Sequence, residues 1–517
     1  MPDVVVVGAG HNGLVAATLL ARAGLAVEVL ERAPVVGGAC RTEHPFGAAP
    51  GLAASTGAYL LGLMPPELMR TLELDLPLVR RDPHYFLPTL DGRSLLLGGD
   101  RAAARAQFTE FFSAADARAD EALGAELAAL RQDLAPAWLA EPAPVEEIAE
   151  RHVRPALRET FVTMVRGSAM DYLGRFGFES ETVQAMYAVT DGMPGLTGSP
   201  WSPGSGHNLL VHNMCRLPGA GGTWMVVCGG MGTVTRRLAG LAVAAGARIR
   251  TGCEVAAIET AGGAATGVRT AEGGVLPAAA VLVCTDAYRL PGLLGDATPP
   301  ELQARIEGYA QRSPGQTMKV NLALAGLPRF AALPEPGHGQ HGTTVHLLPP
   351  PAADGSVLTA LREAFADAAA GRLPAAPPLE WYLHSTLDPS LCDGAGTHSS
   401  ALFVQGVPHQ VAGSSWAAEQ DRYVGRLLDL VEAYAPGTWD LLVDVHALAP
   451  PGIEEHFGIT GGNIMHVDNS ISFADRMPYA TGVDGVYAGA AGCHPAGSVI
   501  GAAGHNAARR ILADLAA

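Results

Sequence analysis

The sequence predicts an α/β fold in which a Rossmann-like domain is interleaved with an α+β domain that carries a helical cap. Three observations predict it. A strand, a glycine turn, a helix and a second strand fill the first thirty residues; glycine-marked, strand-rich segments return after residue 218 and again after residue 460; and the stretches between them alternate alanine-rich helical spacing with short apolar strands. At 517 residues the chain also exceeds the size at which one hydrophobic core keeps growing, which favours two domains.

The first element is the run Asp3 to Val7, whose β-branched residues suit a parallel strand covered on both faces. Gly8-Ala9-Gly10-His11-Asn12-Gly13 follows, and Leu14 to Ala23 then carries Leu14, Val15, Ala17, Leu19 and Leu20 at helical spacing. The helix stops at Gly24 and gives way to a second strand, Ala26 to Leu30. In this context Gly8 makes the tight turn, Gly10 admits backbone N–H groups to a pyrophosphate, and Gly13 lets helix and strand pack closely. The helix N-terminus adds partial positive charge. Glu31, eighteen residues beyond Gly13, is placed to accept hydrogen bonds from both ribose hydroxyls of a dinucleotide and to repel a 2′-phosphate.

One short loop further on, after Arg32, comes the pair Gly37-Gly38 with Arg41 and Thr42. Paired glycines there let the backbone cross the pyrophosphate a second time, and Arg41 can offset its charge. A nicotinamide dehydrogenase needs no such second crossing. The chain holds only one dinucleotide fingerprint, because Gly219-Ala220-Gly221-Gly222 lacks the spacing for another, and it has no Cys-x-x-Cys pair. Bound NAD(P)H is therefore not expected.

Apolar residues make up 48% and charged residues 16% of the chain, which excludes a disordered protein. Acidic residues outnumber basic ones 51 to 34, a net charge of −17, and Lys319 is the only lysine. Nucleic acid and anionic membrane surfaces are thus excluded as partners, since a net acid releases no counterions from either. The cysteines, seven in all, stand singly, which points to reduced thiols. The N-terminus lacks the basic flank of a signal peptide, and no apolar run approaches the roughly 18 residues of a membrane helix. A soluble cytoplasmic protein is expected. Nothing in the sequence speaks to the oligomeric state.

These motifs, taken in order, resemble the FAD-dependent oxidoreductases of the phytoene (carotenoid) desaturase-like group, relatives of the amine oxidases. Ser55-Thr56-Gly57 leading to Gly62-Leu63-Met64-Pro65-Pro66-Glu67, the Gly/Pro-rich loop from Gly198 to Gly204 and on to His212, Gly229-Gly230-Met231-Gly232, Glu254-Val255, Met318-Lys319-Val320-Asn321, Gly461 to His466, and Gly489 to Gly501 continue the resemblance over nearly the whole chain. It is nearest the bacterial branch related to pyridine nucleotide-disulphide oxidoreductase domain-containing protein 2. The resemblance implies an FAD-binding domain of the GR2/amine-oxidase type made of residues 1–58, 218–300 and 460–517, with a substrate-binding domain made of 59–217 and 301–459. It also implies non-covalent FAD. Besides Gly8, Gly10, Gly13, Glu31, Arg32, Gly37, Gly38, Arg41 and Thr42, the resemblance places Val255, Gly489, Gly492 and Ile500 at the cofactor.

In the substrate domain, residues 101 to 190 read as a helical cap punctuated by prolines. Thr317 to Leu324, Thr343 to Leu348, Leu379 to His384 and Ala401 to Gln405 read as strands of a mixed sheet flooring a cavity, and Asp354 to Ala370 and Ala417 to Tyr434 as amphipathic helices. His338, His341 and His346 fall among Gly and Pro in an apparent loop with no metal spacing, and no metal is expected.

The resemblance implies an enzyme that dehydrogenates, or desaturates, a small or medium organic substrate by hydride transfer to the flavin, with oxygen, a quinone or another carrier as electron acceptor. An amine oxidase and a redox-neutral isomerase are close variants; a non-enzymatic binding protein on the same scaffold, like the Rab escort and GDP-dissociation-inhibitor proteins, is the alternative from another class. Aromatic residues make up only 6%, which speaks against the cage expected around a cationic amine. The group usually carries Thr-His-Pro-Gly-Gly-Gly near the ring; here Cys493, Ala496 and Ser498 replace the threonine and two glycines, narrowing the space and arguing against a long polyene. Cys493 reads as a buried thiol rather than a flavin tether. The resemblance places His466 and His494 nearest the ring as candidate bases. Lys319, on an apolar strand, must reach a cavity or be paired: it could hold a water near the flavin, bind a substrate carboxylate, or pair with an acid at the domain junction.

Overall fold

The computed structural model describes residues 1–190, 198–310 and 315–516. A five-stranded, wholly parallel sheet runs in the order Val486–Ala488, Ala280–Val283, Val4–Val7, Val27–Leu30 and Arg248–Arg250. Every residue of Val4–Val7 is buried, as a central strand covered on both faces requires. The helix His11–Arg22 packs against Gly232–Ala244 and Ala502–Ala516. It begins three residues before the apolar spacing announces it, because the last part of the glycine turn is already its first turn. A Cβ on Gly13 would overlap the Gly8 carbonyl oxygen, so this close crossing of helix and turn exists only without a side chain.

The second sheet has seven strands, ordered Leu442–Leu448, Thr317–Leu324, His398–Gln405, Leu379–Tyr382, Thr344–Leu347, Tyr85–Pro88 and Ser94–Leu97. It is mixed: Thr344–Leu347 runs parallel to Tyr85–Pro88, and the other pairs are antiparallel. Successive side chains alternate between its faces. Met318, Val320, Val345, Trp381, Leu402 and Val404 form one apolar core with Leu427 and Val431 of the helix Trp416–Tyr434. Thr317, Lys319, Thr344, His346, Glu380, Tyr382, Phe403 and Gln405 face the other way, into the large cavity between the two sheets.

A helical subdomain of Arg101–Phe111, Ala114–Leu134, Val145–His152, Arg158–Arg166, Ala169–Gly174 and Glu181–Thr190 packs against the Ser94–Leu97 edge of the mixed sheet, and none of its described residues lines the cavity. Asp100, Ser113 and Ser168 accept backbone N–H bonds at three of its helix N-termini. Phe108, Leu123, Leu127 and Leu130 are buried together, as their spacing predicts.

Three strands of this mixed sheet escape the sequence reading. Tyr85–Pro88 and Ser94–Leu97 are apolar runs of only four residues, too short to tell strand from helix, and Leu442–Leu448 is a partly exposed edge strand interrupted by Asp444 and His446. The strand at Leu379 stops at Tyr382, and His384 lies in the following turn. His346 is not in a loop: it is a fully buried residue of Thr344–Leu347, where burial pulls its imidazole down to about 3. Among the described residues no helix is long and apolar enough to cross a membrane, and no group of His, Cys, Asp and Glu is arranged to hold a metal.

Candidate active site

A single cavity of about 740 Å³ joins the glycine turn of the parallel sheet to the polar face of the mixed sheet. At one end Gly8, Gly10, His11 and Asn12 bring the N-terminus of His11–Arg22 to the wall. No side chain caps that terminus, and a Cβ on Gly10 would point into open space. Gly37 and Gly38 flank it, tied back by the bond from Gly37 N to the Ala9 carbonyl (2.9 Å). Glu31 also lines this end, with one carboxylate oxygen accepting Ala9 N and the other Ala33 N, both at 2.8 Å. Each oxygen keeps a further lone pair. Arg32 and Val255 complete the wall.

His466 also lines the cavity, within electrostatic reach of His11 at the glycine turn. Its backbone is in the left-handed region at φ 61°, held by its N–H to the Asn463 carbonyl (2.8 Å), and its Nδ1 has no hydrogen-bond partner. Burial lowers the imidazole below the ordinary histidine range. His11 lies in the same wall with its Nε2 unpartnered, lowered to about 4 by burial and then by His466.

At the far end, Lys319 is 4% exposed, and its Nζ has no hydrogen-bond partner but sits 3.7 Å from the centroid of the Tyr59 ring. Burial pulls the amine well below the usual lysine range. Glu380 accepts the hydroxyl of Tyr382, the Tyr59 hydroxyl at 3.4 Å and Gln405 Nε2 at 3.4 Å. Burial pushes both phenols up, so they stay protonated donors. Arg81, equally buried, donates Nε to the Trp224 carbonyl (3.0 Å) and Nη1 to the Thr344 hydroxyl (2.5 Å).

Comparison with known proteins decides what kind of site this is. Residues 13–326 match the model of the family described as flavin containing amine oxidoreductase. The chain belongs to that family. It is 35% identical to pyridine nucleotide-disulfide oxidoreductase domain-containing protein 2 of Mus musculus, over 99% of this chain and 94% of the mouse protein. It is 28% identical to hydroxyneurosporene desaturase of Cereibacter sphaeroides, over 100% of this chain and 98% of the relative. Among solved structures, an oxidoreductase from Methanosarcina mazei superposes with a TM-score of 0.63 at 16% identity, covering 99% of both chains. Putrescine oxidase bound to putrescine superposes with 0.54 at 16% identity, over 100% of this chain and 99% of that one. At such identities these structures show a shared fold.

As a member of the flavin containing amine oxidoreductase family, the protein is an FAD-dependent oxidoreductase. The residues present fit that cofactor. An uncapped helix N-terminus opens beside side-chain-free Gly10, and a carboxylate pinned by two backbone N–H groups keeps lone pairs facing the same wall.

The remaining sequence-derived candidates stand behind the cavity wall. Arg41 pairs with Glu43 (3.6 Å), donates to the His456 carbonyl (3.1 Å) and stacks on Phe457 (5.1 Å). The Thr42 hydroxyl donates to the Gly229 carbonyl and accepts Gly232 N, both at 3.0 Å, joining the glycine-pair loop to the start of Gly232–Ala244. Gly489 and Gly492 let neighbouring segments pack, against Ala507 and Val467 respectively, and Ile500 is buried in the core shared with the helical subdomain. His494 bonds the Ala137 carbonyl of the helical subdomain through Nε2 (2.9 Å), with burial lowering it to about 4. Cys493 is buried, its thiol pushed up to about 12 by burial.

Sequence reasoning missed Tyr59, Arg81, Glu380, Tyr382 and His11. Alternation in Leu-Glu-Trp-Tyr, with polar groups every second residue on an otherwise apolar strand, is the signal that could have found Glu380 and Tyr382. It also missed Arg476, 1% exposed, which donates to the carbonyls of Val467, Asp468, Ile471, Ala491 and Cys493 and so holds together the loops on either side of His466 and His494.

Proposed function

We propose that the protein dehydrogenates a small or medium organic substrate in this cavity and that oxygen, a quinone or another carrier reoxidises its non-covalently held FAD. The observation that supports this best is the continuity of the cavity from the glycine turn and Glu31 to the polar sheet face at Lys319. When bound, FAD supplies the acceptor for a hydride. Gly8, Gly10, Gly37 and Gly38 offer backbone to its phosphates, Gly13 sets the helix that faces them, and Glu31 binds the ribose, with Arg32 and Val255 beside it. Arg41, Thr42, Gly489, Gly492 and Ile500 shape these loops from behind. The division into an FAD-binding part (1–58, 218–300, 460–517) and a substrate-binding part (59–217, 301–459) is supported by the parallel sheet, whose strands all come from the first set.

His466, neutral through burial and with Nδ1 unpartnered in the wall, takes the substrate proton; Lys319 holds the substrate or a water at the opposite end. His494 acts from behind the wall, tying the segment after Cys493 to the helical subdomain through Ala137. The apolar walls exclude water. An amine oxidase reading has less support, because Tyr59 and Tyr382 touch each other at 4.5 Å between ring centroids and Lys319 already covers Tyr59, leaving no slot between the two rings for an ammonium. The unpaired cysteines support a reducing, cytoplasmic compartment. Anaerobic mixing of the purified holoenzyme with a panel of acids, amines and alkenes tests the function: at least one should bleach the visible flavin band, and a panel broad in size and charge that leaves it unchanged would count against dehydrogenation.

A further inference from the structure

The sheet end of the cavity presents several unanswered donors beside the unanswered acceptor Gln405 Oε1. Glu380 Oε2 accepts both the Tyr382 and the Tyr59 hydroxyl, and Oε1 accepts Gln405 Nε2. Arg81 uses Nε and Nη1 on Trp224 and Thr344, and its second terminal nitrogen makes no hydrogen bond among the described residues although the side chain lines the cavity. Lys319 Nζ and the neighbouring Thr317 hydroxyl, on the same strand face, are also without hydrogen-bond partners. Arg81 and Lys319 both lie within electrostatic reach of Glu380 and His384. Buried donors of this kind are costly unless a ligand answers them.

We propose that the substrate is an organic acid whose carboxylate is held between Arg81 and Lys319, with its apolar body against Tyr59, Phe403 and Trp224. The inference rests on the dehydrogenase reading of the same cavity and names the class of substrate it takes. Arg81 and Glu380 balance each other, and a carboxylate arriving beside Lys319 would restore the proton that burial disfavours, so the pocket gains one negative and one positive charge together, which matches a monoanion. The free edge of a guanidinium fork suits a planar carboxylate, and a hydrocarbon would leave every donor unanswered. A cationic amine would sit beside the Arg81 guanidinium and would oppose protonation of Lys319 rather than favour it.

Equilibrium dialysis of the holoenzyme with radiolabelled phenylacetate and hexanoate tests this, with phenylacetamide and phenethylamine as neutral and cationic competitors of similar shape. At least one acid should bind, and the amide and amine should displace phenylacetate only at concentrations more than about tenfold higher. Arg81→Met should weaken acid binding by roughly thirtyfold and Lys319→Met by about tenfold, with flavin content retained. Arg81→Lys, which keeps the charge without the fork, should fall between wild type and Arg81→Met and covers the case in which the methionine variant fails to fold. Failure of both acids to bind, equal binding of amide and acid, or unchanged binding in Lys319→Met and Arg81→Lys would overturn the proposal. Acid binding without flavin bleaching by any substrate would support this inference and count against dehydrogenation; bleaching by an amine without acid binding would do the reverse.

Discussion

Lys319 Nζ lies 3.7 Å from the centroid of the Tyr59 ring, so the only lysine of the chain joins a central strand of the mixed sheet to the segment that follows the glycine pair. Its amine has no hydrogen-bond partner, and burial lowers its proton affinity. Replacing Lys319 by Met should therefore lower turnover by roughly a hundredfold while leaving FAD content intact. Stability should move the other way. Between the depressed value of the folded state and the ordinary lysine value, the unfolded chain binds one proton more than the folded chain, so this residue's contribution to stability improves as pH rises through that window. Lys319→Met should remove that slope and gain most over wild type near neutral pH. Melting temperatures of both proteins across neutral and alkaline pH check it; a variant less stable at every pH would show that Lys319 is paired in a structural role.

His466 is held neutral by burial. As a base it is active above its lowered value, so turnover should be flat through neutral pH and fall only below the ordinary histidine range. His466→Ala should lower turnover by roughly a hundredfold and abolish that acidic limb. A pH–rate profile of wild type and variant measures both, and an unchanged limb would assign it to another group.

Glu31 accepts Ala9 N and Ala33 N and keeps lone pairs at the cavity wall. Glu31→Gln should weaken FAD binding by about 1–3 kcal/mol, measured by titrating apoprotein with FAD. Acid precipitation of wild type should release the flavin into the supernatant, and flavin that stays with the precipitate would reveal a covalent link.

How much of this was legible in the sequence depends on whether a feature is local. Gly8, Gly10, Gly13 and Glu31 form one strand-turn-helix-strand unit, so their spacing alone brings them together, and all but Gly13 line one wall. Lys319 stood out through composition. Arg81, Glu380 and Tyr59 come from three distant segments: the sheet register sets Lys319 opposite Phe403 and Phe403 opposite Glu380, while Tyr59 and Arg81 reach that face from outside the sheet through Glu380 and Thr344. Arg476 was invisible for a related reason: its partners are backbone carbonyls, which carry no sequence signal.

Arg476 gives a stability prediction. Removing its guanidinium leaves several buried carbonyls unanswered, so Arg476→Met should destabilise the protein by at least about 3 kcal/mol in chemical denaturation. A loss below 1 kcal/mol would mean that the loops around His466 are held by other contacts.

The central claim is that substrate oxidation and flavin reduction are one event in this cavity. Its most direct test is a single anaerobic turnover in which oxidised product and reduced flavin are counted together, using whichever panel compound reacts. The account predicts one product molecule for each flavin bleached, with the bleaching slowed roughly a hundredfold in His466→Ala. Product formed while the flavin stays oxidised would contradict it and assign the cavity to redox-neutral isomerisation.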